Sequence, residues 1–269
     1  MNIAIVYISP NGTTKKVSNQ LNYMLSCSNH RVQLFDLGLE NYRDLNNVID
    51  KINKFDLVGF GSPVYHMDVL PPIKKLLQHI KSISLAFNFR SFLFITYAGI
   101  TSGKALYNSA KILNQKNIDI IGSLKLEAPH LHHRIKFPEQ KTIEIIRDFC
   151  VRLDLVNNTS IHYRTYQVNK KIVSLLYPLT HFIGKRRELP IKVNTDLCKS
   201  CKLCIKECPV GAISLNLTIT IEKGKCLHCY HCVIICPIKA IQSPIEKLDK
   251  MISLNKKIVG KSPLKTRFL

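Results

Sequence analysis

Eight of the ten cysteines in this 269-residue chain fall between residues 198 and 236, in two runs of one spacing. Cys198, Cys201, Cys204 and Cys208 form the first, and Cys226, Cys229, Cys232 and Cys236 the second. Each reads C-x-x-C-x-x-C-x-x-x-C and is followed by proline, Pro209 or Pro237. The second copy is displaced by 28 residues at every cysteine, and the flanks repeat as well, Cys-Pro-Val-Gly-Ala-Ile against Cys-Pro-Ile-Lys-Ala-Ile. Three thiolates spaced two residues apart on a tight loop can face three corners of one iron–sulfur cube. The fourth cysteine of each run sits too far round to close its own cube. Structural zinc is a weaker alternative, because it takes two pairs of ligands rather than a packed triplet. Disulfides need an oxidising compartment that nothing else in the chain suggests.

From roughly Ile191 to Ser243 the pattern resembles the bacterial-type 2[4Fe–4S] ferredoxins. In that family the fourth cysteine of each run ligates the other cluster. The resemblance implies one [4Fe–4S] cluster on Cys198, Cys201, Cys204 and Cys236, and a second on Cys226, Cys229, Cys232 and Cys208. Such crossing makes the two halves one folding unit. A small α+β domain over residues 190–245 is the expected form.

The first 156 residues read differently. Short Ile/Val-rich runs at 2–8, 31–37, 56–60, 91–97 and 118–126 alternate with helical patterns ending near residues 25, 52, 80, 115 and 155. Strict alternation predicts a parallel sheet with helices on both faces. The first strand runs into Ser9-Pro10-Asn11-Gly12-Thr13-Thr14 and then a helix. Hydroxyls and backbone N–H groups at the positive end of a helix make an anion cradle, and Gly12 permits a positive φ. An ordinary capped strand–helix turn remains the alternative there.

These loops resemble the flavodoxins, which implies a doubly wound, five-stranded parallel sheet binding FMN at the carboxyl ends of its strands. Ser9, Asn11, Gly12, Thr13 and Thr14 match that family's phosphate loop. Gly61, Ser62, Pro63, Tyr65, Tyr97 and Gly99 match its two flavin-ring loops, with Tyr65 or Tyr97 stacking on or edging the ring. Two departures stand out. Pro10 removes one N–H donor from the phosphate loop, and the chain has no tryptophan to stack on a flavin.

After the fifth strand, His130, His132 and His133 are expected at the same sheet edge, as a solvated loop, as proton donors beside a flavin, or as a separate metal site. Cys27 and Cys150 are expected to be half-buried core thiols. Residues 157–189 form a basic connection in which Ile172, Val173, Leu175, Leu176, Leu179, Phe182 and Ile183 give an apolar face, suited to packing between domains or to a membrane surface. Residues 246–269 read as a polar basic tail, with seven basic and one acidic residue from 247 onward.

The net charge is +21. Two oxidised clusters with their thiolates and one flavin phosphate leave roughly +15. A basic surface steers acidic partners, so acidic redox proteins such as ferredoxins or flavodoxins are expected first, and an anionic membrane surface second. No nucleic-acid reading motif occurs. Apolar runs are too short to span a bilayer, the N-terminal apolar run lacks a signal-peptide pattern, and a cytoplasmic location is expected.

Taken together, the chain resembles the flavodoxin–ferredoxin fusion proteins found mostly among anaerobes, which implies electron transfer between two [4Fe–4S] clusters and FMN. The alternatives are a flavin-dependent reductase of a small molecule fed by ferredoxin, since no separate G-x-G-x-x-G fingerprint is present, and a ferredoxin-type carrier on a flavin-free scaffold. Lys199, Lys202 and Lys206 in the first run, against His228, Tyr230 and His231 in the second, predict a higher potential for the first cluster.

Overall fold

The computed structural model describes residues 1–80, 89–129, 137–155, 160–166, 188–259 and 265–267. The α/β part runs β1 (Asn2–Tyr7), α1 (Thr13–Cys27), β2 (Arg31–Asp36), α2 (Leu45–Ile52), β3 (Leu57–Tyr65), β4 (Asp68–Val69), α3 (Pro71–His79), β5 (Arg90–Tyr97), α4 (Ala105–Asn114), β6 (Ile120–Glu127) and α5 (Gln140–Leu155). Five strands pair in parallel in the order β2-β1-β3-β5-β6. That is the doubly wound, flavodoxin-like order with its switch point between β1 and β3.

Period-two alternation within β1 explains the two faces. Ala4 and Val6 enter one core, with Val48 and Ile52 of α2, Leu76 and Leu77 of α3 and Leu113 of α4. Ile3 and Ile5 enter the other, with Val17 and Leu21 of α1 and Phe149 of α5. Each wholly buried side chain of this kind contributes about 1.5–3 kcal/mol. On the second face, the rings of Phe92 and Phe94 lie where Cβ atoms on Gly59 and Gly61 would be, 2.2 and 2.0 Å from the nearest ring carbon. The glycines of β3 are slots for the phenylalanines of β5.

Four features depart from the expectations. β3 continues through Gly61-Ser62-Pro63-Val64-Tyr65, and turns back as β4 through His66 and Met67, both at positive φ. Asp68 on β4 is buried, held by Lys74 Nζ at 2.9 Å and Asn108 Nδ2 at 3.0 Å, so the hairpin is pinned to α3 and α4. Cys150 is wholly buried, but Cys27 is exposed at the end of α1 rather than half-buried. The expected tail is not featureless: Glu246–Val259 is helical, and Lys265–Arg267 pairs antiparallel with β6 at the sheet edge.

The cysteine module contains β7 (Lys192–Val193), α6 (Leu203–Lys206), β8 (Ile213–Leu215), β9 (Ile219–Ile221), α7 (His231–Ile235), β10 (Ile241–Gln242), α8 (Glu246–Val259) and, back on the large sheet, β11 (Lys265–Arg267). The 28-residue repeat is visible in the backbone. Ser200 and Lys202 adopt positive φ, as do His228 and Tyr230, and Gly211 is matched by Lys239. Pairing crosses between the halves, β7 with β10 and β8 with β9. Each small sheet therefore takes one strand from each repeat, so neither repeat completes its hydrogen bonding alone.

Candidate functional site

The turn after β1 closes through the Gly12 N–H donating to the Ser9 carbonyl at 3.2 Å. Gly12 caps α1 at φ 80°, a conformation costly for a residue with a Cβ. Gly12 has no side chain with which to cap the helix, and no acidic residue lies in its first turn. The first turn itself thus carries no carboxylate to compete with an anion at the positive end of the helix. Ser9 Oγ accepts from the Lys15 N–H at 2.9 Å, which leaves its hydroxyl proton for a ligand. Thr14 Oγ1 pairs with Thr96 Oγ1 at 2.8 Å, both buried, and so fastens α1 to β5.

A shallow cleft opens above this turn. Ser9, Asn11, Thr13 and Thr14 form one wall, Pro63 and Tyr65 another, and Tyr97 with Ala98 the third. The three segments come from the carboxyl ends of β1, β3 and β5, on either side of the switch point. This donor set fits a flavin phosphate at the hydroxyl-rich end and an aromatic ring beside the tyrosines. The remaining candidates have other positions. Gly61 is held in the sheet, its carbonyl accepting from the Ile8 N–H at 3.2 Å. Ser62 Oγ accepts from the Leu70 N–H and donates to the Pro63 carbonyl, which braces the hairpin. Gly99 is buried at φ 83° in the turn after β5. His130, His132 and His133 lie outside the described residues, as does the apolar face at 172–183.

Both candidate tyrosines have committed neighbours. Lys125 Nζ lies 4.6 Å from the centre of the Tyr97 ring, a cation–π contact. Tyr65 accepts a hydrogen bond from Asn11 Nδ2 at 3.2 Å. Burial, and next the negative charge available at Cys229, hold the Tyr65 phenol protonated far above its ordinary range. The same Asn11 Nδ2 donates to the carbonyl oxygen of Cys229 at 3.1 Å.

That last bond leads into the cysteine module. A second pocket is lined by Cys208, Cys226, Cys229 and Cys232, with Ile191, Ile213 and Ile221 among its apolar walls. The first run thus sends its last cysteine to the second run's triplet, while Cys198, Cys201 and Cys204 lie close enough for the first two to act electrostatically on Cys204. Burial pushes Cys229 and Cys232 up to about 12, and neighbouring thiolates add to it. Bare thiolates are therefore unfavourable in this pocket. A cationic core held by these cysteines would favour their deprotonated form. Backbone amides are already aimed at sulfur: Ala212 N–H at 3.2 Å from Cys208 Sγ, and His228 N–H at 3.4 Å from Cys226 Sγ. Among the described residues no three His, Cys, Asp or Glu side chains converge on a single metal ion. A lone zinc would hold its sulfurs about 3.8 Å apart. Four cysteines spread around one cavity suit a larger core.

Three residues at the meeting of the two parts were not singled out by their sequence. Arg43 Nη2 donates to the Cys208 carbonyl at 2.8 Å. The Glu188 carboxylate lies 3.4 Å from His66 Nε2 and 3.1 Å from His228 Nε2. The Leu189 N–H donates to Tyr230 Oη at 2.8 Å, which ties the incoming chain to the second run. Nothing local marks these positions, because their partners are remote in sequence.

The fold and the cysteine pattern define the class: a flavodoxin-like α/β fold joined to a ferredoxin-type iron–sulfur module. Residues 191–214 match the 4Fe-4S binding domain family, which supports at least one [4Fe–4S] cluster in the cysteine module. Among curated proteins no sequence matches the chain. Among solved structures, the chain is similar to rubredoxin oxygen:oxidoreductase from the anaerobe Desulfovibrio gigas, at 19% identity and a TM-score of 0.46 over 57% of this chain and 36% of that one. The chain thus spans about a third of that protein's length. A flavodoxin from the domain Archaea is matched at 17% identity and a TM-score of 0.45, over 57% of this chain and 96% of that one. Oxidised Flavodoxin 1 from Bacillus cereus is matched at 12% identity and a TM-score of 0.44, over 58% of this chain and the whole of its own. No described helix is long and apolar enough to cross a membrane.

Proposed function

We propose that this protein is an electron-transfer flavo-iron–sulfur protein that holds FMN in the cleft above the Ser9–Thr14 turn and two [4Fe–4S] clusters in the cysteine module. The observation that carries the reading is the cavity shared by Cys208, Cys226, Cys229 and Cys232, directly beside the cleft. On the crossed pattern these four hold one cluster, and Cys198, Cys201, Cys204 and Cys236 the other. When bound, the flavin accepts electron pairs and each cluster exchanges single electrons.

The chain's own residues supply position and screening. Ser9 Oγ and the first N–H groups of α1 are placed to bind the phosphate. Pro63, Tyr65 and Tyr97 wall the ring's end of the cleft. Lys125, over Tyr97, adds positive charge on that side. The buried Tyr65 phenol keeps its proton and so adds no charge between the two sites. The apolar lining of the cysteine cavity keeps water from the sulfurs. Acidic redox carriers are the proposed external partners, given the basic surface.

Purification without air, with iron, sulfide and flavin counted per chain, tests the reading. Eight iron, eight sulfide and one FMN are expected. Four iron would remove the second cluster from the proposal. Eight iron with no flavin bound, even on reconstitution, would leave a ferredoxin on a flavin-free scaffold.

A further inference from the structure

Resting on that reading, we infer that the two clusters are not equivalent in place: the one held by Cys208, Cys226, Cys229 and Cys232 faces the flavin cleft, and the one held by the first triplet faces outward. Arg43 and Asn11 are the positioning residues that fix this order.

Asn11 sits on the phosphate turn itself, and its amide nitrogen bonds both Tyr65, in the cleft wall, and the Cys229 carbonyl. Arg43, just before α2, donates to the Cys208 carbonyl. Cys208 and Cys229 belong to different runs but line one cavity. Glu188 adds a third tie, between His66 at the tip of the β3–β4 hairpin and His228 in the second run. Apolar packing agrees, because Leu227 lies against the core that contains β1, α2 and α4. Three separate segments of the α/β part therefore converge on the residues of one ligand set.

The other set presents a different surface. Cys201 is exposed, and so are Lys199, Lys202 and Lys206 around it, whereas Cys208 and Cys229 are buried. An acidic carrier meets its complement at this exposed run. Bonds from Asn11 and Arg43 to main-chain carbonyls also have an electrical consequence. Each places a donor dipole or a full positive charge within a few bonds of a ligand sulfur, and positive charge near a cluster favours its reduced form. Charge at position 43 should act on the inner cluster, and charge at position 202 on the outer one.

Two substitutions in the cofactor-loaded protein test the order by equilibrium potentials rather than by turnover. Arg43→Glu should lower the potential of one cluster and leave the other unchanged. Lys202→Glu should lower the potential of the cluster that Arg43→Glu left alone, and the double variant should show both shifts. Arg43→Lys keeps the charge but not the planar donor, and should recover most of the first shift. If both variants moved the same cluster, or if Arg43→Glu moved neither while iron and flavin stayed at full count, the assigned order would be wrong. Should Arg43→Glu fail to fold, Asn11→Asp, which puts a carboxylate beside the Cys229 carbonyl of the same ligand set, must reproduce its single shift. Fewer than eight iron in the unaltered protein would instead count against the two-cluster reading beneath this one.

Discussion

Gly61 shows how a residue that belongs by sequence to a cofactor loop can be fixed by packing. Its missing side chain is occupied by the Phe94 ring, 2.0 Å from where a Cβ would stand. That ring cannot swing away freely, since it stacks on Phe92 at 6.1 Å, and Phe92 in turn packs edge-on against Phe149 at 5.7 Å. Gly61→Ala therefore overpacks three aromatic rings at once. A loss of about 1–3 kcal/mol in stability is expected, read from the denaturant midpoint of the α/β part. A change below about 0.5 kcal/mol, the scatter expected of an innocuous surface substitution, would mean that β5 shifts to make room. Flavin affinity should change little in the surviving folded protein, because Gly61 does not line the cleft.

At the scale of elements, the start of α1 is the part of the candidate site with the clearest electrostatic role. The helix begins at Gly12 in the left-handed region, with no side chain on the cap residue and no acidic residue in the first turn. Aspartate tolerates that backbone better than most residues and is a preferred cap. Gly12→Asp should accordingly leave the helix intact while placing a carboxylate where the phosphate is proposed to bind. A tenfold or greater weakening of FMN binding, about 1.4 kcal/mol, is expected in a fluorescence titration of flavin into the flavin-depleted protein. Riboflavin, which lacks the phosphate, should bind the variant and the unaltered protein alike. Equal loss for both ligands would place the defect in the shape of the turn instead. The elements themselves were largely legible in advance, because long apolar runs such as Ile3–Ile8 and the helical faces of α1 and α5 carry their own periodicity. The extension of β3 to Tyr65 was not, since Gly61 and Pro63 read locally as a turn and pairing with β1 and β5 keeps them extended. Nor was the hairpin at His66 and Met67, where two residues with side chains adopt positive φ under tertiary constraint. In the cysteine module the shared pocket of Cys208 with the second triplet is the arrangement that the ferredoxin resemblance implied, whereas Arg43 and Glu188 gave no sign, their partners being 165 and 40 or more residues away; Asn11 was marked only for the phosphate loop and not for its bond to Cys229, 218 residues on.

At the scale of the whole molecule, the balance of charge decides how a partner arrives. The chain carries 39 basic against 18 acidic residues, and cofactor charge offsets only part of the difference. Exposed charges act over about 10 Å at 0.1 M salt and about 3 Å at 1 M. Steering by such a surface raises the association rate far more than it slows dissociation. The proposed redox partnership therefore predicts a specific kinetic signature. With an acidic ferredoxin-type carrier, the association rate measured by stopped flow should fall about tenfold or more between 50 mM and 500 mM salt, while the dissociation rate changes by less than about threefold. Lys202→Glu should flatten this dependence if the exposed first cysteine run is the point of arrival. A neutral variant of the carrier should associate slowly at every salt concentration. Association that is fast and indifferent to salt would show that the basic excess serves some other contact, and that the carrier is recognised by shape and apolar surface alone.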